Sequence, residues 1–158
     1  MRFAKPFRRV VTALAGSLLI VACSQAAEQT GTADVHAAET AAGSLEELMV
    51  AGKGIYEANC GACHQPNGKG LPGAFPPLAE SDYLLRDRED VLAVALSGLS
   101  GPITVNDQEY NSVMPSMAHL KDEDLAAALT YVFNSWGNSL AAVTPAEVTA
   151  LRDKLGQQ

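Results

Sequence analysis

The sequence predicts an all-α domain of three to five helices, and three observations support this prediction. Several segments of the 158-residue chain carry apolar residues at intervals of three and four, the spacing of a helix that buries one face. A Cys-x-x-Cys-His run at residues 60–64 directly follows the first of these segments. About 110 residues remain after residue 44, which is few for a core built from apolar side chains alone. The domain is therefore expected to need a further source of stability.

The Cys-x-x-Cys-His run indicates covalent attachment of haem. Two thiols about one helical turn apart can add to the two vinyl groups of one haem, and the histidine then presents its imidazole to the iron. Redox disulfides and half-sites for zinc share the Cys-x-x-Cys spacing. However, the sequence has no second cysteine pair to complete a zinc tetrahedron, and no strand–helix context of the thioredoxin type surrounds the motif. We therefore predict one covalently bound haem c, held by Cys60, Cys63 and His64 and filling much of the core.

The first helix is predicted from Glu46 to the haem cysteines. Its apolar residues at spacings of three and four are Leu48, Ala51, Ile55 and Ala58. Residues 65–77 are rich in glycine and proline, so they are predicted to form a loop that wraps the haem edge.

A second helix is predicted from Arg88 to Ser97, with Asp87 as its cap and Gly98 near its end. Its buried side is predicted to consist of Val91, Leu92, Ala95 and Leu96. Residues 103–110 are predicted to form a short hairpin, because the central Asn106-Asp107 pair tolerates a positive φ.

The last two helices are predicted near the C-terminus. One runs from Asp122 to Ser135 and ends before Gly137, with four residues along one face: Leu125, Leu129, Val132 and Trp136. The other begins at the capping box of residues 144–147, with proline at its first position. It is predicted to bury Val148, Leu151 and Leu155.

Residues 48–136 resemble the class I cytochrome c family. Gly52 and Tyr56, eight and four residues before Cys60, match the family's glycine and aromatic on the N-terminal helix, and Tyr131 matches the aromatic of the helix that crosses it. The resemblance therefore implies a cytochrome c fold in which these three residues pack at a helix crossing. Pro76-Pro77-Leu78 resembles the family's Pro-x-Leu, whose proline carbonyl accepts the free N–H of the proximal histidine. Pro76 would then orient His64, unless Pro77 is the matching residue.

Residues 110–117 and 126–138 resemble, more narrowly, the monohaem cytochrome domains that serve copper nitrite reductases and the cytochrome subunits of periplasmic dehydrogenases. Family spacing implies that Met114, which precedes a proline, is the sixth iron ligand. Met117 is three residues away and is a second candidate, and His119 is a third. His/Met coordination suits electron transfer, whereas His119 as ligand would give a haem of lower potential.

Two large side chains have alternative roles. Tyr110 and Trp136 each combine an apolar body with one hydrogen-bond donor. Each is therefore a candidate either for contact with the haem propionates or for an ordinary core position.

The N-terminal residues predict export and a lipid anchor. Residues 1–22 combine a basic start with an apolar stretch too short to span a bilayer comfortably, as in a secretory signal. The segment ending at Cys23 resembles the lipobox of bacterial lipoproteins, although ordinary cleavage after Ala26 is an alternative. Residues 23–44 then form a flexible tether that carries lipidated Cys23, and residues 45–158 form the cytochrome c domain with a short C-terminal helical extension. The expected location is the periplasmic face of a bacterial membrane, with Ser24 favouring the outer membrane.

Charge indicates the kind of partner. Removing residues 1–22 leaves seven basic and eighteen acidic residues, a formal net charge of −11. Such a charge argues against nucleic acid and favours a basic patch on a periplasmic or membrane-bound redox protein. We therefore predict a one-electron carrier and not an enzyme. The alternatives are a haem enzyme or gas sensor with an open distal site, and a permanent subunit of a dehydrogenase or reductase.

Overall fold

The computed structural model describes residues 44–157, which form five α-helices, one 3₁₀ helix and a two-stranded sheet. In chain order these elements are α1 (Leu45–Asn59), α2 (Gly61–His64), the 3₁₀ helix (Asp82–Leu85), α3 (Arg88–Ser97), β1 (Ile103–Val105), β2 (Gln108–Tyr110), α4 (Asp122–Phe133) and α5 (Pro145–Leu155). None of the described helices is long and apolar enough to cross a membrane. The predicted signal segment, Cys23 and almost all of the tether lie outside the described residues.

Helices α1 and α4 cross at closely spaced backbones. A methyl group on Gly52 would overlap the carbonyl oxygen of Ala127, so only glycine permits this approach. Tyr56 is fully buried at the crossing, and its ring centroid lies 5.5 Å from that of Tyr131. Trp136 completes an aromatic triad, 5.1 Å from Tyr56 and 5.3 Å from Tyr131. The crossing implied by the family resemblance is therefore present.

The buried face of α1 differs from the face that the apolar spacing predicted. Neither Ala51 nor Ala58 is buried, and Leu48 and Ile55 are only partly covered. The buried residues of α1 are Gly52 and Tyr56. The spacing rule failed here because α1 approaches α4 through the backbone of Gly52, a residue that adds no apolar side chain to the sequence pattern.

The predictions for the middle of the domain are confirmed. Helix α3 has the predicted bounds, and the Asp87 side chain accepts from the backbone N–H groups of Glu89 and Asp90. Strands β1 and β2 pair antiparallel across a two-residue turn, in which Asn106 and Asp107 have φ values of 49° and 63°. A turn with two positive φ angles matches the right-handed twist of a hairpin.

Two predictions near the C-terminus need correction. Helix α4 ends at Phe133, two residues before Ser135, because Asn138 donates to the Val132 carbonyl and turns the chain back. Trp136 therefore lies beyond the helix with a φ of 53°. Helix α5 has its predicted capping box and buries Val148 and Leu151, but its last residue, Leu155, is 41% exposed.

Helix α5 is fastened to the rest of the domain by arginine contacts. Arg152 forms a 2.9 Å ion pair with Asp122 and donates to the carbonyls of Ala118 and Leu120. The hydrogen bond from Thr149 and the contact with Arg152 lower the pKa of Asp122. These contacts hold the segment that leads into α4.

The glycine crossing generates a stability prediction. Gly52→Ala forces α1 away from α4, so we expect a loss of about 3 kcal/mol in unfolding free energy. Gly54→Ala is the matched control, because a methyl group there meets nothing within 4 Å. That control should gain about 0.5–1 kcal/mol from helix propensity. Urea unfolding of the haem-loaded proteins, followed by circular dichroism, measures both. Equal stability of the two variants would show that the crossing tolerates a side chain.

Candidate haem-binding site

The Cys-x-x-Cys-His motif folds as a single tight turn. Cys60 ends α1 and begins α2, and its carbonyl accepts the backbone N–H of His64 at 2.9 Å. Both cysteines are partly buried, and neither forms a disulfide within the described residues. Before haem is attached, burial and to a lesser degree Cys63 raise the pKa of the Cys60 thiol to about 11. The motif thus presents two sulfurs for haem attachment and an imidazole from one short segment.

The His64 ring is oriented by one hydrogen bond. Its Nδ1 lies 3.0 Å from the Pro76 carbonyl oxygen, and the side chain is only 8% exposed. A carbonyl can only accept, so Nδ1 carries the proton and Nε2 keeps its lone pair. Burial lowers the pKa of His64, while the bond to Pro76 opposes that shift. The imidazole is therefore neutral and suited to bind a metal, and the acceptor is Pro76 rather than Pro77.

A large apolar cavity adjoins this ring. Its empty volume, including the part open to solvent, is about 1210 Å³. Cys60, Cys63 and His64 line it, and within residues 44–157 no Asp, Glu, Lys or Arg does. The lining therefore fits a large, mostly apolar group that the two cysteines tether and whose iron His64 binds. Such a group supplies reversible one-electron chemistry.

The cavity also receives both candidate methionines. Met114 is partly buried, and its backbone exchanges two hydrogen bonds with Leu99, of 2.9 and 3.0 Å. Met117 is 7% exposed and donates its backbone N–H to the Ala95 carbonyl. His119 is exposed and does not line the cavity. The structure therefore brings Met114 and Met117 to the site, and not His119.

Two residues that the sequence did not single out hold the methionine segment against α3. The Ser116 hydroxyl donates to the Leu96 carbonyl at 2.6 Å and accepts from the Ala118 backbone N–H at 3.0 Å. A methyl group on Gly98 would lie 2.6 Å from the Met114 carbonyl oxygen, so glycine is needed for this approach. Gly98 was recognisable in the sequence only as the end of a helix. Apart from its position next to Met114-Pro115, nothing in the sequence indicated a role for Ser116.

The two residues considered for propionate contact have different positions. Tyr110 is 5% exposed and lines the cavity. Trp136 does not line it and packs instead over Gly68, where a methyl group would overlap the indole ring. Trp136 is therefore a packing residue.

The fold and this site define a c-type haem protein. The chain belongs to the cytochrome c family, because the family model described as Cytochrome c matches residues 49–136. It is 40% identical over 136 residues to cytochrome c-552 of Thermus thermophilus. The matched region covers 72% of this chain and 91% of that relative. The predicted family, cytochrome c fold, covalent haem c and electron-transfer role are confirmed.

Two other relatives are subunits of enzymes. The cytochrome c subunit of the quinone alcohol dehydrogenase of Gluconobacter oxydans is 32% identical over 106 residues, which is 65% of this chain and 22% of that subunit. The fructose dehydrogenase cytochrome subunit of Gluconobacter japonicus is 31% identical over 109 residues, or 64% of this chain and 22% of that subunit. The expected likeness to dehydrogenase cytochrome subunits is therefore confirmed.

Proposed function

We propose that this cytochrome c carries single electrons between periplasmic redox proteins, with its iron held by His64 and Met114. The observation that carries the proposal is the shared cavity, in which a neutral buried imidazole and a methionine segment line one apolar space. An iron with protein ligands on both sides changes oxidation state with little rearrangement. The same ligation leaves no open position for a substrate, so we propose a carrier and not an enzyme.

Met114 is preferred to Met117 on two grounds. Met117 is part of the buried hydrophobic core, where a methionine serves as filling. The Met114 backbone is fixed in position by its paired bonds to Leu99 and by the close approach of Gly98, and its side chain is only partly buried, at the edge of the core. A ligand needs this combination of a fixed backbone and a side chain directed by the metal.

The ligand assignment predicts a spectroscopic difference. The oxidised protein should show the far-red charge-transfer band of methionine sulfur on ferric iron. Met114→Ala should abolish this band, whereas Met117→Ala should retain it and lose about 2–4 kcal/mol of stability as a buried large-to-small change. Absorbance of the ferric proteins measures the first effect, and urea unfolding measures the second. Loss of the band in Met117→Ala alone would move the ligand to Met117.

We further propose that the domain is tethered to the periplasmic face of a bacterial membrane, favouring the outer membrane, through lipidated Cys23. Two of the three cysteines are assigned to haem, and an exposed thiol in an oxidising compartment would be a liability. The capping box of Ser44 and Glu47 begins α1, so residues 24–43 are available as a spacer between the anchor and the domain. A tethered domain meets membrane-bound partners at a raised effective concentration.

The proposed docking partner has a basic patch. Residues 44–157 contain seven basic and fifteen acidic residues, a formal net charge of −8. Four of the seven cations already pair with acids: Lys53, Arg88, Arg152 and Lys154. The surplus of acidic groups supports electrostatic steering that weakens as salt is added.

A second candidate function is a permanent place in a dehydrogenase complex. The named relatives that are dehydrogenase cytochrome subunits favour it. A partner that copurifies at high salt would support the permanent complex, whereas a partner that dissociates with rising salt would support the free carrier.

The cysteine assignments predict two separable losses. Cys23→Ala should keep the covalent haem and move from the membrane to the soluble fraction. The double change Cys60→Ala, Cys63→Ala should remain in the membrane fraction and lose the covalent linkage. Haem staining of denaturing gels and membrane fractionation measure the two properties in the expressing bacterium. Membrane retention of Cys23→Ala would contradict the lipid anchor and leave the haem assignment intact.

A further inference from the structure

We propose that Arg152, on α5, is a positioning residue for the sixth iron ligand, because it holds in place the segment that carries the two candidate methionines. The inference rests on the proposed function in one respect, since it requires a methionine on the iron. It does not depend on whether that methionine is Met114 or Met117.

Arg152 lies outside the part of the chain that the family model matches. The match ends at residue 136, whereas α5 spans Pro145–Leu155. The Arg152 side chain is only 16% exposed. A charged group that is largely removed from water needs hydrogen-bond partners in the protein. The partners of Arg152 therefore indicate what this helix contributes to the domain.

The Arg152 guanidinium reaches residues 118–120, which connect the methionine segment to α4. One of its N–H groups donates to the Ala118 carbonyl at 2.9 Å, and another donates to the Leu120 carbonyl at 2.9 Å. Within residues 44–157 no backbone N–H donates to either of these carbonyls. Arg152 therefore fixes this connection where backbone hydrogen bonds do not.

The start of α4 depends on the same side chain. Its N-cap residue, Lys121, makes no side-chain hydrogen bond to the first turn. The Asp122 carboxylate is bonded to α5 instead, with one oxygen accepting from Arg152 at 2.9 Å and the other accepting from the Thr149 hydroxyl. Helix α5 therefore holds the first turn of α4 from outside, in place of a local cap.

The methionine segment is thus attached to different elements at its two ends. Toward α3, Met114 exchanges backbone hydrogen bonds with Leu99, and the Met117 backbone N–H donates to the Ala95 carbonyl. Toward α4, the attachment is the fork of Arg152. A methionine leaves the iron only when its segment moves away, so loss of one attachment should make this local opening more frequent. Arg152 does not line the cavity, so it acts on the ligand through the backbone.

Arg88 provides a matched control. Like Arg152, it bonds one carboxylate, that of Glu147, at 2.7 Å, and it donates to two backbone carbonyls, those of Ala141 and Ala142. It therefore also fastens the C-terminal segment to the domain. Its partners all follow α4, and none of them belongs to residues 114–120. Loss of Arg88 should loosen α5 without releasing the methionine segment.

The test compares haem-loaded Arg152→Met with Arg88→Met and with the wild type. Methionine keeps much of the apolar stem of arginine and removes the charge and the donors. Excess imidazole is mixed with the ferric protein, and loss of the far-red methionine band is followed by stopped-flow absorbance. At saturating imidazole, the rate of this loss is the rate at which the methionine segment opens. We expect this rate to be about tenfold higher in Arg152→Met and within about twofold of wild type in Arg88→Met.

Urea unfolding followed by circular dichroism measures the stability of both variants and separates a general loss of stability from release of the segment. Equal exchange rates in Arg152→Met and Arg88→Met would overturn the proposal, and so would a wild-type rate in Arg152→Met. If Arg152→Met does not yield a folded haem protein, Arg152→Lys and Arg88→Lys provide the same comparison. Lysine keeps the charge but lacks the fork that reaches three acceptors at once. Arg152→Lys should then exchange faster than Arg88→Lys, and equal rates would contradict the proposal.

The same measurement distinguishes this inference from the axial-ligand assignment. A wild-type protein without the far-red band would contradict methionine as the sixth ligand. A wild-type protein with the band, together with Arg152→Met that loses it no faster than Arg88→Met, would contradict the role of Arg152 alone.

Discussion

The structure depends on filling one apolar cavity in the centre of a small domain. Side chains from α3 and α4, including Val91 and Leu125, face this space together with the methionine segment. A covalently bound haem covers these apolar side chains, and their removal from water contributes to the hydrophobic stabilisation of the domain. The Cys-x-x-Cys-His turn therefore serves stability and function together, because the same segment anchors the core and binds the iron.

The elements around the cavity act as fixed supports for a group that changes charge. The close crossing at Gly52 holds the helix that leads into the cysteine turn, and Pro76 fixes the imidazole of His64. On the other side, Ser116 and Leu99 hold the methionine segment against α3. Fixed ligands and an apolar surrounding allow the iron to gain or lose an electron with little movement. The acidic exterior is separate from this role and concerns encounter with a partner.

Much of the fold could be predicted from local sequence signals. The bounds of α3 followed from Asp87 and Gly98, and the hairpin followed from the Asn106-Asp107 pair, because these residues act through local backbone geometry. The buried face of α1 could not be read from apolar spacing alone, since its contact with α4 includes Gly52, which adds no apolar side chain to the pattern. The exposure of Leu155 depends on where the last turn of α5 ends relative to the neighbouring elements. The spacing of apolar residues carries no information about that position.

The residues of the site also differ in how far the sequence predicted them. The cysteines and His64 were recognisable from spacing, because one turn must carry all three groups. The contact between Pro76 and His64 was predicted only through the family resemblance. A loop lies between the two residues, and local sequence patterns do not determine its path. Ser116 could not be predicted, since its role depends on the Leu96 carbonyl that its hydroxyl contacts in another part of the chain.

Carbon monoxide binding to the reduced, haem-loaded protein tests the proposed carrier function most directly. With His64 and a methionine on the iron, no position is free for the gas, and we expect the absorption spectrum to remain unchanged on exposure to it. Rapid conversion to a carbon monoxide spectrum would contradict the closed site. It would favour a haem enzyme or gas sensor with an open distal position.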